Sequence, residues 1–160
     1  MRFSVQREAL LRPLQQVVGV VERRQTLPVL ANVLIRVEGE SASFTTTDLE
    51  VELSSRMAVD GAEAGEVTVP ARKLFDIVKA LPADSKIEVK QEGERVKLSS
   101  GRSRYTLATL SASEFPATES GDVQDRIEID QGTFKKLLER SAFAMAVQDV
   151  RYYLNGLLVE

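Results

Sequence analysis

The chain has 160 residues, of which 43% are hydrophobic and 28% are charged, a balance typical of a globular protein. It contains neither cysteine nor histidine, which excludes disulfides, thiolate metal sites, cysteine nucleophiles and histidine general bases. The formal net charge is −3, from 24 acidic and 21 basic residues, so nucleic-acid binding would require a segregated basic face. No stretch approaches the roughly 20 apolar residues of a membrane span, and we expect a cytoplasmic location without membrane contact.

The opening segment, residues 3–18, predicts a short strand that leads directly into an amphipathic helix. Phe3 and Val5 alternate with polar residues, which is the pattern of a half-buried strand. Leu10 and Leu14 belong to an apolar stripe at helical spacing, which predicts a helix packed on a core. The same strand–helix pattern recurs twice, at 67–81 and at 127–146.

The remaining segments predict strands, turns and one linker. Residues 111–125 contain proline, glycine, serine and acids without periodicity, which indicates a linker. Alternating apolar residues bounded by turn signals predict strands elsewhere. These predicted strands lie at 29–59 with a turn at Gly39, at 86–100 with a turn at Gly93, at 103–110 and at 148–160.

Internal repeats connect these segments. A shift of 64 residues places Leu10 on Leu74, and a shift of 124 places Leu10 on Phe134. A shift of 54 places Gly39 on Gly93, Val51 on Tyr105 and Leu53 on Leu107. Residues 1–110 therefore predict two copies of a strand–helix–strands unit, and a third copy begins at 127. Because one helix must cover the apolar face of each antiparallel sheet, the predicted architecture is α+β, with two helices on one layer of strands.

Three acids at alternating positions, Asp48, Glu50 and Glu52, suggest two interpretations. On one strand face they would form an Mg²⁺ site or a carboxylate pair for acid–base chemistry. Alternatively they belong to an ordinary solvated face. The repeat favours the second interpretation, because two of the equivalent positions carry Arg102 and Arg104. We therefore predict no catalytic site and no metal site here.

The predicted helices carry many of the basic residues. Each could belong to a solvated helix face, but the repeat gives the helices equivalent positions, so their basic residues would converge on one side. A lattice of cations without a base-reading element is what sequence-independent contact with phosphates requires. The helix residues concerned are Arg7, Arg12, Arg72, Lys73, Lys79, Lys135, Lys136 and Arg140.

Several motifs together resemble the bacterial DNA polymerase III beta subunit family, the replicative sliding clamps. They cover the whole chain in order. The motifs are QREALLRPLQQV, QTLPVLANVL, TTTDLEVE, VPARKLFDI, EGERVKLSSGRSRYTL, SEFP and QDVRYYLNGLLVE.

This resemblance implies a DNA-clamp fold in which antiparallel sheets lie outside and helices line the inner face. Family members have three similar domains per chain, and two chains close head to tail into a ring around duplex DNA. The chain would then hold a complete first clamp domain at 1–120, with units at about 1–60 and 61–112. A linker would follow at 121–126, with the start of a second domain at 127–160, and we expect the chain to be an N-terminal fragment.

The resemblance also implies site residues. DNA contacts fall at Arg24, Arg72, Gln148, Tyr152 and Tyr153. Arg151 and Leu154 match the first part of a partner-peptide pocket, and the ring interface falls at Arg102, Arg104, Tyr105 and Leu107.

The implied function is that of a processivity factor without catalytic activity or cofactors. Its partners would be duplex DNA, the DNA polymerase III catalytic subunit, the clamp loader and other clamp-binding proteins, with a head-to-tail homodimer in the full-length protein. Two alternatives remain at this stage. One is a small Mg²⁺-dependent phosphotransfer enzyme or nuclease that uses the acids at 48, 50 and 52, and the other is an interaction domain with solvated basic faces.

Overall fold

The computed structural model describes residues 1–21, 27–116 and 127–159. The chain divides into two compact units, Met1–Thr118 and Glu119–Glu160. None of the described helices is long and apolar enough to cross a membrane. In the first unit, the elements are β1 (Arg2–Gln6), α1 (Arg7–Val17), β2 (Asn32–Glu38), β3 (Ser41–Thr47), β4 (Glu52–Ala58), β5 (Asp60–Glu63), β6 (Gly65–Pro70), α2 (Ala71–Ala80), β7 (Lys86–Glu92), β8 (Arg95–Ser100) and β9 (Ser103–Ala108).

The strands of the first unit form two antiparallel sheets, which confirms the α+β class. One sheet has the order β5-β1-β7-β8-β9 and the other has the order β4-β3-β2-β6. Among the described residues, an isolated bridge between Thr68 and Leu110 joins the two ladders. Thr68 Oγ1 accepts a hydrogen bond from Asn32 Nδ2 at 2.9 Å and donates one to the Leu110 carbonyl at 2.8 Å. A buried polar contact therefore links the two sheets.

The two repeats exchange their first strands. β1 pairs with β7 of the second repeat, and β6 pairs with β2 of the first. Neither repeat can therefore complete its sheet without the other, which makes Met1–Thr118 one folding unit. The hairpin turns of the two repeats correspond as predicted. Gly39 and Gly93 both have left-handed backbone conformations, with φ of +56° and +58°.

The predicted register of β4 against β9 was wrong. The ladders pair Phe44 with Ser55 and Leu98 with Tyr105, so Tyr105 corresponds to Ser55 and not to Val51. Leu107 likewise corresponds to Met57, since these two residues pair with the equivalent Val96 and Ala42. The physical reason is the turn, which spans four residues between β3 and β4 but only two between β8 and β9.

The core lies between the inward sheet residues and the two helices. Phe3 and Val5 are buried on β1, as their alternation predicts. Leu10 and Leu14 of α1 and Leu74 of α2 belong to the same hydrophobic cluster. Thr46 Oγ1 donates a 2.6 Å hydrogen bond to the Val17 carbonyl, which fixes the end of α1 against the sheet.

The described residues of the second unit form the helix α3 (Gln131–Ala142) and a 3-10 turn at Tyr152–Asn155. Asp130 caps α3, because its Oδ1 accepts hydrogen bonds from Thr133 N and Thr133 Oγ1 at 2.8 and 2.9 Å. These hydrogen bonds lower the pKa of the Asp130 carboxyl, the backbone bond contributing most.

The strands predicted at the start of 127–146 and at 148–160 are absent from the described part of the second unit. A strand needs a neighbouring strand to pair its backbone groups, and the described residues offer none to these segments. The 3-10 turn instead repeats the one at Pro28–Ala31, displaced by the same 124 residues that relate the helices. The linker predicted at 121–126 lies outside the described residues.

Candidate nucleic-acid interface

Helices α1 and α2 lie antiparallel on the same side of the first unit. Their orientation follows from two contacts, in which the start of each helix reaches the far end of the other. Their apolar stripes face the sheets, so the remaining positions form an exposed surface that we call the helix face. Its exposed charged and amide side chains are Glu8, Arg12, Gln15, Gln16, Arg72, Lys73, Asp76 and Lys79.

Arg7 does not belong to this surface, although its helical position suggested that it does. Its Nε donates to the Val78 carbonyl at 3.0 Å and its Nη2 to the Lys79 carbonyl at 2.7 Å. Its Nη1 also contacts Glu8 Oε2 at 3.1 Å, and only 12% of the side chain is exposed. Arg7 therefore caps the last turn of α2, where unpaired carbonyls and the helix dipole favour a cation.

Arg72 makes the reciprocal contact at the other end of the pair. Its Nε donates to the Val21 carbonyl at 3.1 Å, and its Nη2 donates to the same oxygen. The residue nevertheless remains exposed at the surface. Arg72 thus ties the start of α2 to the segment that follows α1.

Arg12, Lys73 and Lys79 are the cations of the helix face whose side chains make no hydrogen bond or ion pair to the described residues. Lys79 lies with its Nζ 5.8 Å from the centre of the Phe75 ring, a cation–π distance. The helix face therefore has four cations against two acids, and none of the four forms an ion pair with an acid in the described structure. Such cations are available to phosphate oxygens.

The other predicted DNA contacts fall into two groups. Arg24 lies outside the described residues. In the second unit, Gln148 is exposed and has φ of 58°, a left-handed conformation that is uncommon for glutamine. Tyr152 and Tyr153 are 83% and 69% exposed, and their rings meet edge to face at 6.2 Å between centres. Two rings that are free of any core can stack on bases or contact sugars.

The predicted pocket residues Arg151 and Leu154 flank this tyrosine pair. Arg151 forms a bidentate ion pair with Asp149, with Nε–Oδ1 and Nη2–Oδ2 distances of 3.1 and 3.0 Å. This contact lowers the pKa of Asp149 and raises that of Arg151. Leu154 is at the surface, and its carbonyl accepts a 2.9 Å hydrogen bond from Ala146 N.

The predicted ring interface falls on β9 and on Arg102 in the turn before it, and β9 is an edge strand of the five-stranded sheet. Arg102 and Arg104 are exposed, and Tyr105 is half-buried. Leu107 is only 2% exposed and belongs to the core, because its side chain points to the helix side of the sheet. The Leu107 side chain is thus buried while its backbone lies on the edge strand, and its place in the ring interface stays a prediction.

The acidic residues proposed for magnesium do not share a strand face, which corrects the sequence interpretation. β3 ends at Thr47 and β4 begins at Glu52, so the residues between them form a turn. Asp48 Oδ1 accepts hydrogen bonds from the backbone N–H groups of Glu50 and Val51 at 3.0 and 2.7 Å, which occupies it in the turn. Across the described ranges, no group of three or more acids is placed to hold a metal ion.

Sequence reasoning missed the reciprocal caps of Arg7 and Arg72. One signal was present, since a cation in the first turn of a helix is unfavourable to that helix's own dipole. Such a residue is more favourably placed when it reaches the carbonyl end of a neighbouring helix. It also missed the turn at Leu49, whose φ of 80° is unusual for a leucine.

Comparison with known proteins identifies the family. Residues 1–119 match the model of the DNA polymerase III beta subunit, N-terminal domain. The chain belongs to this family. A beta sliding clamp of Pseudomonas aeruginosa is 57% identical over the whole chain, and one of Escherichia coli K12 is 50% identical. This chain spans 44% of the length of each of these two relatives.

Solved structures of beta subunits have the same fold. The crystal structure of the DNA polymerase III subunit beta from Pseudomonas aeruginosa superposes with a TM-score of 0.93 at 55% identity. The match covers 98% of this chain and 42% of that one. The DNA-clamp fold expected from the beta-subunit motifs is therefore confirmed.

Proposed function

We propose that this chain is part of a sliding clamp, a processivity factor that encircles duplex DNA and tethers the replicative polymerase. The observation that carries the proposal is the helix face. It presents Arg12, Lys73 and Lys79 without an acid partner among the described residues, on two helices that are fixed to each other. Unpaired cations on a rigid surface without base-reading loops suit contact with phosphates of any sequence.

The chain works by topology and contact, without catalysis and without a cofactor. Arg24, Arg72, Gln148, Tyr152 and Tyr153 complete the DNA contacts. Weak, salt-sensitive contacts let the clamp slide. The binding free energy comes from counterion release at phosphates, which are the same at every position along the DNA, and not from contacts to particular bases. The site of action is the cytoplasm.

The assembly proposed is a head-to-tail homodimeric ring of longer chains. Met1–Thr118 is the first clamp domain, and 127–160 begins the second. Arg102 in the turn before β9, with Arg104, Tyr105 and Leu107 on β9, forms one side of the ring interface, because β9 is an edge among the described strands that a partner strand can extend. Arg151 and Leu154 belong to the pocket for the DNA polymerase III catalytic subunit, the clamp loader and other clamp-binding proteins.

Duplex binding by the chain tests this proposal. Arg12→Gln and Lys73→Gln should each weaken binding and lower the salt slope by about 0.9 per charge, with the same constants for unrelated sequences. Arg56→Gln is the matched control, because Arg56 is an exposed cation on β4 outside the helix face. A clear preference for one sequence would contradict the proposal. So would an Arg56 variant that loses as much affinity as the helix variants.

A further inference from the structure

The five-stranded sheet has a second cationic surface on the side opposite to its core. The side chains of Phe3, Ile87 and Leu98 point into the core, so their strand neighbours point outward. We call the outward side of β1, β7, β8 and β9 the sheet face. Its cations are Arg2, Lys86, Lys90, Arg95, Lys97 and Arg104, and its acids are Glu88 and Glu92.

Three of these cations form one row across three strands. The ladders place Arg2 directly opposite Lys90, and Lys90 directly opposite Lys97. Like charges in directly opposed positions destabilise a sheet. An anion placed between these cations relieves the repulsion. Two carboxylates of the sheet face have this role.

Both acids are bound by cations of the row. Arg2 Nε donates to Glu88 Oε1 at 2.8 Å. Glu92 lies between Lys97 and Lys90, with N–O distances of 2.5 and 3.1 Å. Hydrogen bonds from Lys97 and, to a smaller extent, from Lys90 lower the pKa of the Glu92 carboxyl. The ammonium groups of neighbouring strands therefore already converge on one oxyanion.

The other cations of the sheet face have no acid partner among the described residues. Lys86 and Arg95 are exposed and make no ion pair there. Arg104 uses its Nη1 for the carbonyls of Gly101 and Ser103, at 2.7 and 2.9 Å, which holds the side chain without neutralising it. On β1, β7, β8 and β9, six cations thus face two carboxylates. With Asp60 and Glu63 of β5, whose ladder places Glu63 directly opposite Arg2, the outward side of the whole sheet has six cations against four acids, and the surplus is positive.

The chemistry of the face indicates its ligand. The other outward residues of these strands are Ser4, Gln6, Ser99, Thr106 and Ala108, and none of the described large apolar residues is exposed there. Protein interfaces have an apolar, often aromatic centre, whereas nucleic-acid interfaces are polar and strongly cationic. The neighbouring edge strand β5 carries Asp60 and Glu63, which would repel a polyanion and so limit the face on that side.

We propose that the sheet face binds the phosphodiester backbone of nucleic acid independently of sequence. It lies across the sheet from the helix face, so a duplex held against the helices does not cover it. The site therefore takes a separate strand or a separate duplex. This inference does not require the helix face to bind DNA.

Two double variants separate the surfaces. Lys86→Gln/Arg95→Gln removes two cations without acid partners from the sheet face, and Arg12→Gln/Lys73→Gln removes two from the helix face. The probe is a labelled oligothymidylate of about 16 nucleotides, the upper site size of a small single-strand module. The sheet-face variant should bind it about tenfold more weakly at low salt, with a salt slope reduced by about 1.4 for two lost charges. The helix-face variant should lose clearly less affinity for this probe than the sheet-face variant.

A competition experiment with the helix-face variant distinguishes binding of single strands from binding of any phosphodiester backbone. An unlabelled duplex that displaces the probe shows that the backbone alone is recognised, and one that does not shows that the site takes single strands. Three results would overturn the proposal. These are equal losses in both double variants, an unchanged affinity in the sheet-face variant, or displacement by polyglutamate as effective as by oligothymidylate. Circular dichroism of both variants confirms that they are folded.

Discussion

Arg7 Nε lies 3.0 Å from the carbonyl oxygen of Val78, so the first residue of α1 caps the last turn of α2. Arg72, near the start of α2, donates to the Val21 carbonyl beyond α1. The two helices of the repeat therefore hold each other at both ends. This pair of contacts fixes the spacing of Arg12 and Lys73, which we propose contact DNA.

Replacing Arg7 tests the cap. Arg7→Gln should lower the free energy of unfolding by about 1–3 kcal/mol, since the Val78 and Lys79 carbonyls at the end of α2 lose a charged donor. Urea unfolding measures this change. Arg12→Gln is the control on the same helix, and it should change stability by less than about 0.5 kcal/mol, because Arg12 is exposed and has no partner in the described structure. Equal effects would show that Arg7 is merely a surface charge.

The contact between the sheets gives a second prediction. Thr68→Val removes the hydroxyl that joins Asn32 to the Leu110 carbonyl and leaves the buried Asn32 amide without its acceptor. We expect the free energy of unfolding to fall by about 1–3 kcal/mol in a denaturant titration. Thr45→Val is the control, because its hydroxyl contacts Ser54 at the exposed surface. If both variants lost the same stability, the buried contact would have no special role.

Sequence periodicity was sufficient for most of the first unit because its elements bury one face. Phe3 and Val5 on β1 and Leu10 and Leu14 on α1 follow the strand and helix periods, and all are in the core. Periodicity could not predict that β1 pairs with β7, because strand partners depend on tertiary structure. It also misplaced Val51 against Tyr105, since turn length is set by local hydrogen bonds such as those of Asp48.

For the candidate site, the sequence predicted which residues are charged but not which of them are already bound. Arg7 and Arg72 occupy similar places near helix starts, yet Arg7 is largely buried and Arg72 is exposed. That difference depends on where the far end of the other helix lies. Leu107 has a similar explanation, because only the register of β9 shows that its side chain points into the core.

The turn after β3 contains a position where replacement by glycine should stabilise the protein. Leu49 has φ of 80° and is 59% exposed, so its side chain contributes little burial while its backbone is strained. Leu49→Gly should raise the free energy of unfolding by about 0.5–1 kcal/mol, since release of strain exceeds the entropy lost by glycine. Val51→Gly, at a position outside the left-handed region, should lower it by a similar amount. Urea unfolding of both variants checks the signs, and a destabilised Leu49→Gly would contradict the strain argument.

Acid should weaken α3 through its cap. The pKa of Asp130 is lowered by the hydrogen bonds from Thr133, so the folded state favours the carboxylate. The stabilisation is therefore present above the pKa of an unfolded aspartate, about 4, and is lost as the pH falls through the lower folded value. Carbon NMR of the Asp130 carboxyl should give a midpoint below that of an exposed aspartate. Asp130→Asn keeps an oxygen acceptor that does not titrate, so α3 in that variant should not lose stability over this pH range. If acid destabilised α3 equally in both chains, the Asp130 carboxylate would not be the cause.

The most direct test of the proposed clamp function is an NMR titration of the isotopically labelled chain with duplex DNA of mixed sequence. Contact through the helix face predicts shifts at Arg12, Gln15, Gln16 and Lys73 that disappear as salt is raised. The same residues should shift with an unrelated duplex sequence. If these four residues stay unchanged at low salt while other parts of the chain respond, the helix face is not the DNA-contacting surface.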